Sequence, residues 1–228
     1  MTARYFTRRT FSFLDALAEN NDRLWFEEHR HEYEDHVRGP ALDFIADMAG
    51  VLPSISPHFR AVAKKAGGSL MRVQRNLRFS RDKTPYKTNI GIQFRHELGR
   101  DVHAPGFYLH IEPGACFIGA GLWRPEPEAL LGIRRAIAEQ EDAWRAARDD
   151  RHFRQHYTLS GEALVNVPRG FARDHPLAQD LKRKDFVGLA PLERAEVLSA
   201  DLLALSAEHF RAAAPLMHFL CTALALRY

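Results

Sequence analysis

The spacing of apolar residues changes twice along this chain, and that change restricts the folds open to it. In the first fifty-odd residues the spacing is helical. Phe11, Leu14, Leu17 and Ala18 share one face, with Thr10 or Ser12 available as N-cap. Asn20-Asn21 breaks the run, and Asn21 is placed to cap a second helix reaching about Val37, with Asp22 at the positive end of its dipole. Gly39-Pro40 ends that helix and opens a third carrying Leu42, Ile45, Ala49 and Leu52. In the middle the period falls to two. From Pro125 onward it is helical again, with Leu130, Ile133 and Ile137 on one helix, a second around Trp144, and Ala/Leu-rich helices from about Leu192 to the end. Helices, then strands, then helices describe an α+β fold. At 228 residues the chain is read as one domain, 1–228.

Within the period-two region, Phe59–Lys64 and Leu70–Phe79 flank Gly67-Gly68 and are expected to form a hairpin. Ile90, Ile92 and Phe94 alternate with Asn89, Gln93 and Arg95. Phe107, Leu109 and Ile111 alternate with Tyr108, His110 and Glu112. Cys116–Trp123 is a further strand, with small residues at Gly119, Ala120 and Gly121. Short connections favour an antiparallel sheet, apolar on the face covered by helices and polar on the other.

Charge is concentrated in this region. From Arg72 to Arg95 seven basic residues stand against Asp82 alone, a local charge of +6 in a chain whose total is +3. The molecule is therefore a mildly acidic body with one basic segment. Its two cysteines, Cys116 and Cys221, form no C-x-x-C pair, so neither a disulfide framework nor a cysteine zinc site is expected. The N-terminal residues hold no secretory signal, and the longest apolar run, Leu216–Leu226, is too short to span a bilayer. A cytoplasmic protein with no membrane partner is the expectation.

The stretch RVQRNLRFSRDKTPYKTNIGIQF, Arg72–Phe94, resembles the signature of the bacterial and fungal family catalogued as domain of unknown function 2461. Flanking segments are similar to it as well: FLDALAENNDRLWFEEHRHEYE (Phe13–Glu34), GFYLHIEPGACFIGAGLWRP (Gly106–Pro125), the Ile133-Arg134 pair, and PRGFARDHP…LKRKDF (Pro168–Phe186). The family pattern usually has Asp where this chain has Asn76, so any chemistry resting on that carboxylate is missing here. The resemblance implies no particular activity and no cofactor.

Four constellations can carry chemistry. The loop Ser80–Pro85, with its flanks, combines cations, a hydroxyl and backbone N–H groups into a candidate anion clamp: Arg72, Arg75, Arg78, Ser80, Arg81, Lys83, Tyr86 and Lys87. It lacks the spacing of a nucleotide-binding P-loop. The competing role for these cations is to pair with carboxylates and lock the loop. On the polar sheet face, His110 and Glu112 are candidates for acid/base work if the strand register brings the polar sets together. Asn20 and Arg23 are candidates to face the same groove. His29, Glu32 and His36 share a helical face, but the stretch is polar all round and lacks H-E-x-x-H, so no metal is assigned. No G-x-S-x-G elbow occurs, Cys116 lies in an apolar strand, and Ser80 is the one hydroxyl singled out as a nucleophile.

The leading expectation is binding, and processing as a further step, of a phosphorylated or other anionic small molecule in a cationic groove. An RNA- or DNA-binding module is the alternative, with Tyr86, Tyr108 and Trp123 as stacking platforms. A scaffold docking an acidic protein is a third.

Overall fold

A computed structural model describes residues 4–78, 82–99 and 105–228. The N-terminal helices are α1 (Arg8–Glu19), α2 (Arg23–Glu28), α3 (Arg30–Tyr33) and α4 (Gly39–Val51), with a π-turn over Glu34–Arg38 joining the last two. After the first four strands come α5 (Pro127–Glu139), α6 (Glu141–Arg148) and α7 (Arg151–His156). Later in the chain follow α8 (Ala178–Leu181), α9 (Arg194–Val197), α10 (Leu202–Ala212) and α11 (Ala214–Ala223). The strands are β1 (Phe59–Arg60), β2 (Ile90–His96), β3 (Gly106–Ile111), β4 (Cys116–Leu122), β5 (Thr158–Ser160) and β6 (Phe186–Leu192). They form one antiparallel sheet of order β1-β2-β3-β4-β6-β5. The α+β architecture and the antiparallel sheet are as the periodicity predicts.

Helices cover one face of this sheet. Ile90, Ile92, Phe94, Phe107, Leu109, Ile111, Ile118, Ala120, Leu122 and Phe186 are buried there. They meet Phe11, Phe44, Trp144, Phe210 and Leu220 in one apolar cluster running from Tyr5 to Cys221. The other face is open. Register aligns Gln93, Tyr108, Gly119 and Leu189 in one cross-strand row. It aligns Gly91, His110, Phe117 and Pro191 in the next.

Several local expectations are corrected. The first helix starts earlier than Thr10: Thr7 is its N-cap, and Thr10 completes a capping box. Ala18 is exposed, and Phe13 takes its place in the core. Asp22, not Asn21, caps α2, its carboxylate accepting the Trp25 N–H at 3.0 Å. Gly39-Pro40 does not separate two helices, because the π-turn carries the chain into α4 without a break.

The hairpin around Gly67-Gly68 closes only as a turn, Ser69 N–H donating to the Val62 carbonyl at 2.8 Å. β1 pairs with β2 instead, and Leu70 meets Ile92 in an isolated bridge. Two short pieces thus share the free edge of β2, which prevents Leu70–Arg78 from forming a continuous strand. β5 and β6 had no counterpart in the sequence reading. Gly188 and Pro191 disguise β6, yet Pro191 sits beyond the β5 pairing, where no partner needs its missing N–H.

Candidate functional site

The basic segment folds into a small hairpin whose base is built for stability. Arg75 N–H donates to the Pro85 carbonyl at 2.9 Å, and Lys87 N–H to the Val73 carbonyl at 2.8 Å. The Asn21 side chain then pairs with Tyr86 as a neighbouring strand would. Its Nδ2 donates to the Tyr86 carbonyl and its Oδ1 accepts the Tyr86 N–H, both at 3.0 Å. Arg75 Nε donates to the same carbonyl at 2.9 Å, and its guanidinium is paired with Asp82. The Tyr86 ring is buried, stacked on Phe26 with centroids 4.1 Å apart.

Two of the eight proposed ligand residues are thereby corrected to structural roles. Tyr86 offers no ring to a ligand, because burial against Phe26 stabilises it more than exposure would. Arg75 is engaged within the loop. Lys83 donates to the Leu77 carbonyl at 3.1 Å. Arg72 and Arg78 are exposed. Lys87 is half-buried, and burial, reinforced by Arg72 and Arg75, lowers its pKa. Ser80 and Arg81, with Phe79, lie outside the described residues. Asn21 was placed at a helix boundary by sequence, and its pairing with a segment 65 positions away had no local signal. Replacing Asn21 with Ala removes both bonds and leaves the Tyr86 N–H unpaired, while the Tyr86 carbonyl keeps Arg75 Nε. The substitution is expected to cost about 2 kcal/mol in urea unfolding.

On the open face the structure brings together part of the polar set that periodicity aligned, with Asn89 Nδ2 3.4 Å from His110 Nδ1, and Arg72, Gln74, Asn76 and Arg78 do not line the cleft there. Tyr108, His110 and Glu112 follow one another along β3 and its end. The Tyr108 hydroxyl lies 3.1 Å from His110 Nδ1, and His110 Nε2 lies 3.2 Å from Glu112 Oε2. A carboxylate accepts only, so Nε2 carries the proton and Nδ1 accepts from Tyr108. Thr88 donates to the other Glu112 oxygen at 3.0 Å. His110 stacks on Phe117, centroids 4.6 Å apart at 12°. Burial lowers the His110 pKa, with Glu112 pulling the other way but not prevailing. Burial also pushes Tyr108 up to about 12. At neutral pH the line is therefore a protonated phenol, a neutral imidazole and a carboxylate: a hydrogen-bond donor beside an oriented base.

Tyr108 and His110 form one wall of a cleft of about 450 Å³, with Glu112 behind His110. Gly106, Gly119 and Gly121 form its floor, with Phe117, Val187 and Leu189 beside them. Tyr108 packs so closely over Gly91 that a Cβ there would meet its hydroxyl at 2.7 Å. At Gly119 a Cβ would make only ordinary contacts, the nearest at 3.6 Å, so that position is open floor.

The far rim is set by Asp185. It is buried, and its two oxygens accept the Arg124 N–H at 2.7 Å and the Glu162 N–H at 3.0 Å. The first bond holds Arg124 at φ 48, an uncommon conformation for a side-chain-bearing residue. Trp123 is held beside it, 54% exposed, with the Arg124 guanidinium 4.7 Å from its ring centroid. Arg95 lies on the same face, opposite Gly106, its Nε donating to Gln93 at 3.1 Å. Met71, just before the basic segment, and Gln93 within it line the cleft, and none of the segment's described cations does.

The chain matches the family described as conserved hypothetical protein DUF2461 over residues 9–219. It belongs to that family. No curated protein and no solved structure matches it. The match spans the DUF2461 residues that build the cleft, from Met71 through Tyr108, Gly119 and Asp185 to Leu189. Asp185 and the Gly106, Gly119 and Gly121 floor were missed as site residues by sequence reasoning. The signal for the floor was glycine at two successive alternate positions of β4, Gly119 and Gly121, whereas Asp185 had none. Among the described residues of this DUF2461 chain, no three His, Cys, Asp or Glu side chains converge as metal ligands, and His29 is stacked on Trp25. No helix among them is long and apolar enough to cross a membrane.

Proposed function

We propose that this protein binds a small organic anion, phosphorylated or carboxylated, on the open face of the sheet. The observation that carries this reading is the glycine-floored cleft walled by Tyr108 and His110. Its apolar floor suits a flat body lying between Tyr108 and Trp123. Arg95, at the β2 end of the row that carries Gly106 and Gly121, draws the anionic group. The reading moves the ligand from the basic hairpin, where Arg75 and Tyr86 are committed to packing, to the face beside it. Processing is the further step: the Tyr108 hydroxyl turns its proton from His110 Nδ1 to a developing negative oxygen of the ligand, and the freed Nδ1, its ring steadied through Nε2 by Glu112, accepts a proton from the ligand. A cytoplasmic setting belongs to the same reading, in keeping with two free thiols, Cys116 and the buried Cys221.

The test is a thermal-shift screen of aromatic carboxylates and nucleoside monophosphates at matched ionic strength. A ligand at a hundred times its Kd adds about 2.7 kcal/mol, or about 5–10 °C for a chain of this size. Gly119→Leu fills the floor without backbone strain and is expected to abolish that shift while keeping the unliganded melting temperature. No shift in any compound, or an equal shift in Gly119→Leu, would overturn the reading. Oligonucleotide affinity that strengthens with length and falls steeply with salt would replace it with the nucleic-acid alternative.

A further inference from the structure

Arg134 is a buried guanidinium for which the described protein supplies no counter-ion. It projects from α5, next to the core residue Ile133, and is 8% exposed. Its Nη2 donates to the Arg183 carbonyl at 2.8 Å. Its Nε is buried without a hydrogen-bond partner. Burial lowers its pKa, and no carboxylate offsets that effect. An unpaired charge held out of water is costly, and a Leu or Met at this place would fill the space without that cost. The guanidinium therefore points to a partner that arrives from solution.

The space for such a partner is present. A pocket of about 400 Å³ is lined by Arg134, Arg124, Lys184, Glu162, Asp185 and Leu164, among others. Both acidic groups in its wall are already engaged. Asp185 accepts the two backbone N–H groups that fix the cleft rim, and Glu162 pairs with Lys184 Nζ at 3.1 Å. Two cations, Arg134 of α5 and Lys184 on the approach to β6, thus reach the pocket from separate segments, beside Arg124, whose guanidinium lies over Trp123. That convergence suits a tetrahedral oxyanion, which accepts from several directions at once, better than a planar carboxylate.

We propose that this pocket binds a phosphate-class oxyanion, with Arg134 as its principal ligand and Lys184 at its mouth. The site is separated from the glycine-floored cleft by Asp185 and does not depend on the reading of that cleft.

Calorimetric titration of the full chain with inorganic phosphate, against chloride at matched ionic strength, tests the proposal. Wild-type protein is expected to bind phosphate saturably at a single site. Arg134→Met is expected to weaken binding about tenfold or more, the loss of one charged hydrogen-bonding partner. Lys184→Met is expected to weaken it several-fold, since it also leaves Glu162 unpaired at the mouth. Gly119→Leu, which blocks the cleft, is expected to bind phosphate as wild type does, so the two readings stand or fall separately. Absence of saturable binding up to about 10 mM phosphate would overturn the proposal. So would unchanged affinity in Lys184→Met, which decides the matter if Arg134→Met does not fold.

Discussion

Gly121→Ala is expected to destabilise the protein by about 3 kcal/mol or more, whereas Gly119→Ala, two residues earlier on the same strand, is expected to change stability by less than about 1 kcal/mol. The two glycines point to the same open face, so burial does not separate them. Conformation does. Gly121 has φ +130, and a Cβ there would lie 2.0 Å from the Phe186 carbonyl oxygen on the neighbouring strand. Accommodating it would break the β4–β6 register at Gly121↔Val187 and Leu122↔Phe186. At Gly119 the nearest atoms, Leu189 Cδ2 and Tyr108 Cβ, stand at 3.6 Å. Urea unfolding of both variants measures the difference. Equal effects would mean that the floor is shaped by packing rather than by backbone conformation.

The second large effect is expected at Asp180, on the side of the molecule where α6 meets α8. Its carboxylate is buried and accepts from Arg148 Nη1 at 2.5 Å and from Arg183 Nε at 3.3 Å. Asp180→Ala would leave Arg183, about a quarter exposed, without its carboxylate, and Arg148, exposed to a similar degree, with Asp149 alone. Removing one partner of a buried pair is more harmful than never having had it. A loss of about 3 kcal/mol is expected by denaturant unfolding, with the slope unchanged. Asp180→Asn, which keeps the shape and one acceptor, is expected to lose less. If both variants unfold together with wild type, the cluster contributes nothing measurable.

The α+β order and the two faces of β2, β3 and β4 were legible in the sequence because strand alternation and helical spacing are local signals. The Tyr108-His110-Glu112 line was legible for the same reason: three polar residues at alternate positions must share a face. What local pattern could not supply was pairing between distant segments. Nothing around Asn21 announces that its amide completes a strand pairing at Tyr86. The basic hairpin read as a ligand clamp because its charge is countable, whereas the burial of Tyr86 on Phe26 is not. β6 was obscured by Gly188 and Pro191, which are strand breakers except where the neighbouring edge needs nothing from them. Asp185 and Arg134 carry their meaning only once β6, α5 and the β4–α5 connection are brought side by side.

The outermost strands of the sheet are also its shortest: β1 has two residues and β5 three, against seven in β2, β4 and β6. An unpaired strand edge is a template on which another chain can add itself, and a long flat edge invites both aggregation and peptide capture by strand addition. Here each edge presents too few consecutive free N–H and C=O groups for such a ladder to lengthen. Lateral growth of the sheet is thus discouraged at both ends, where a further strand finds little backbone to add itself to.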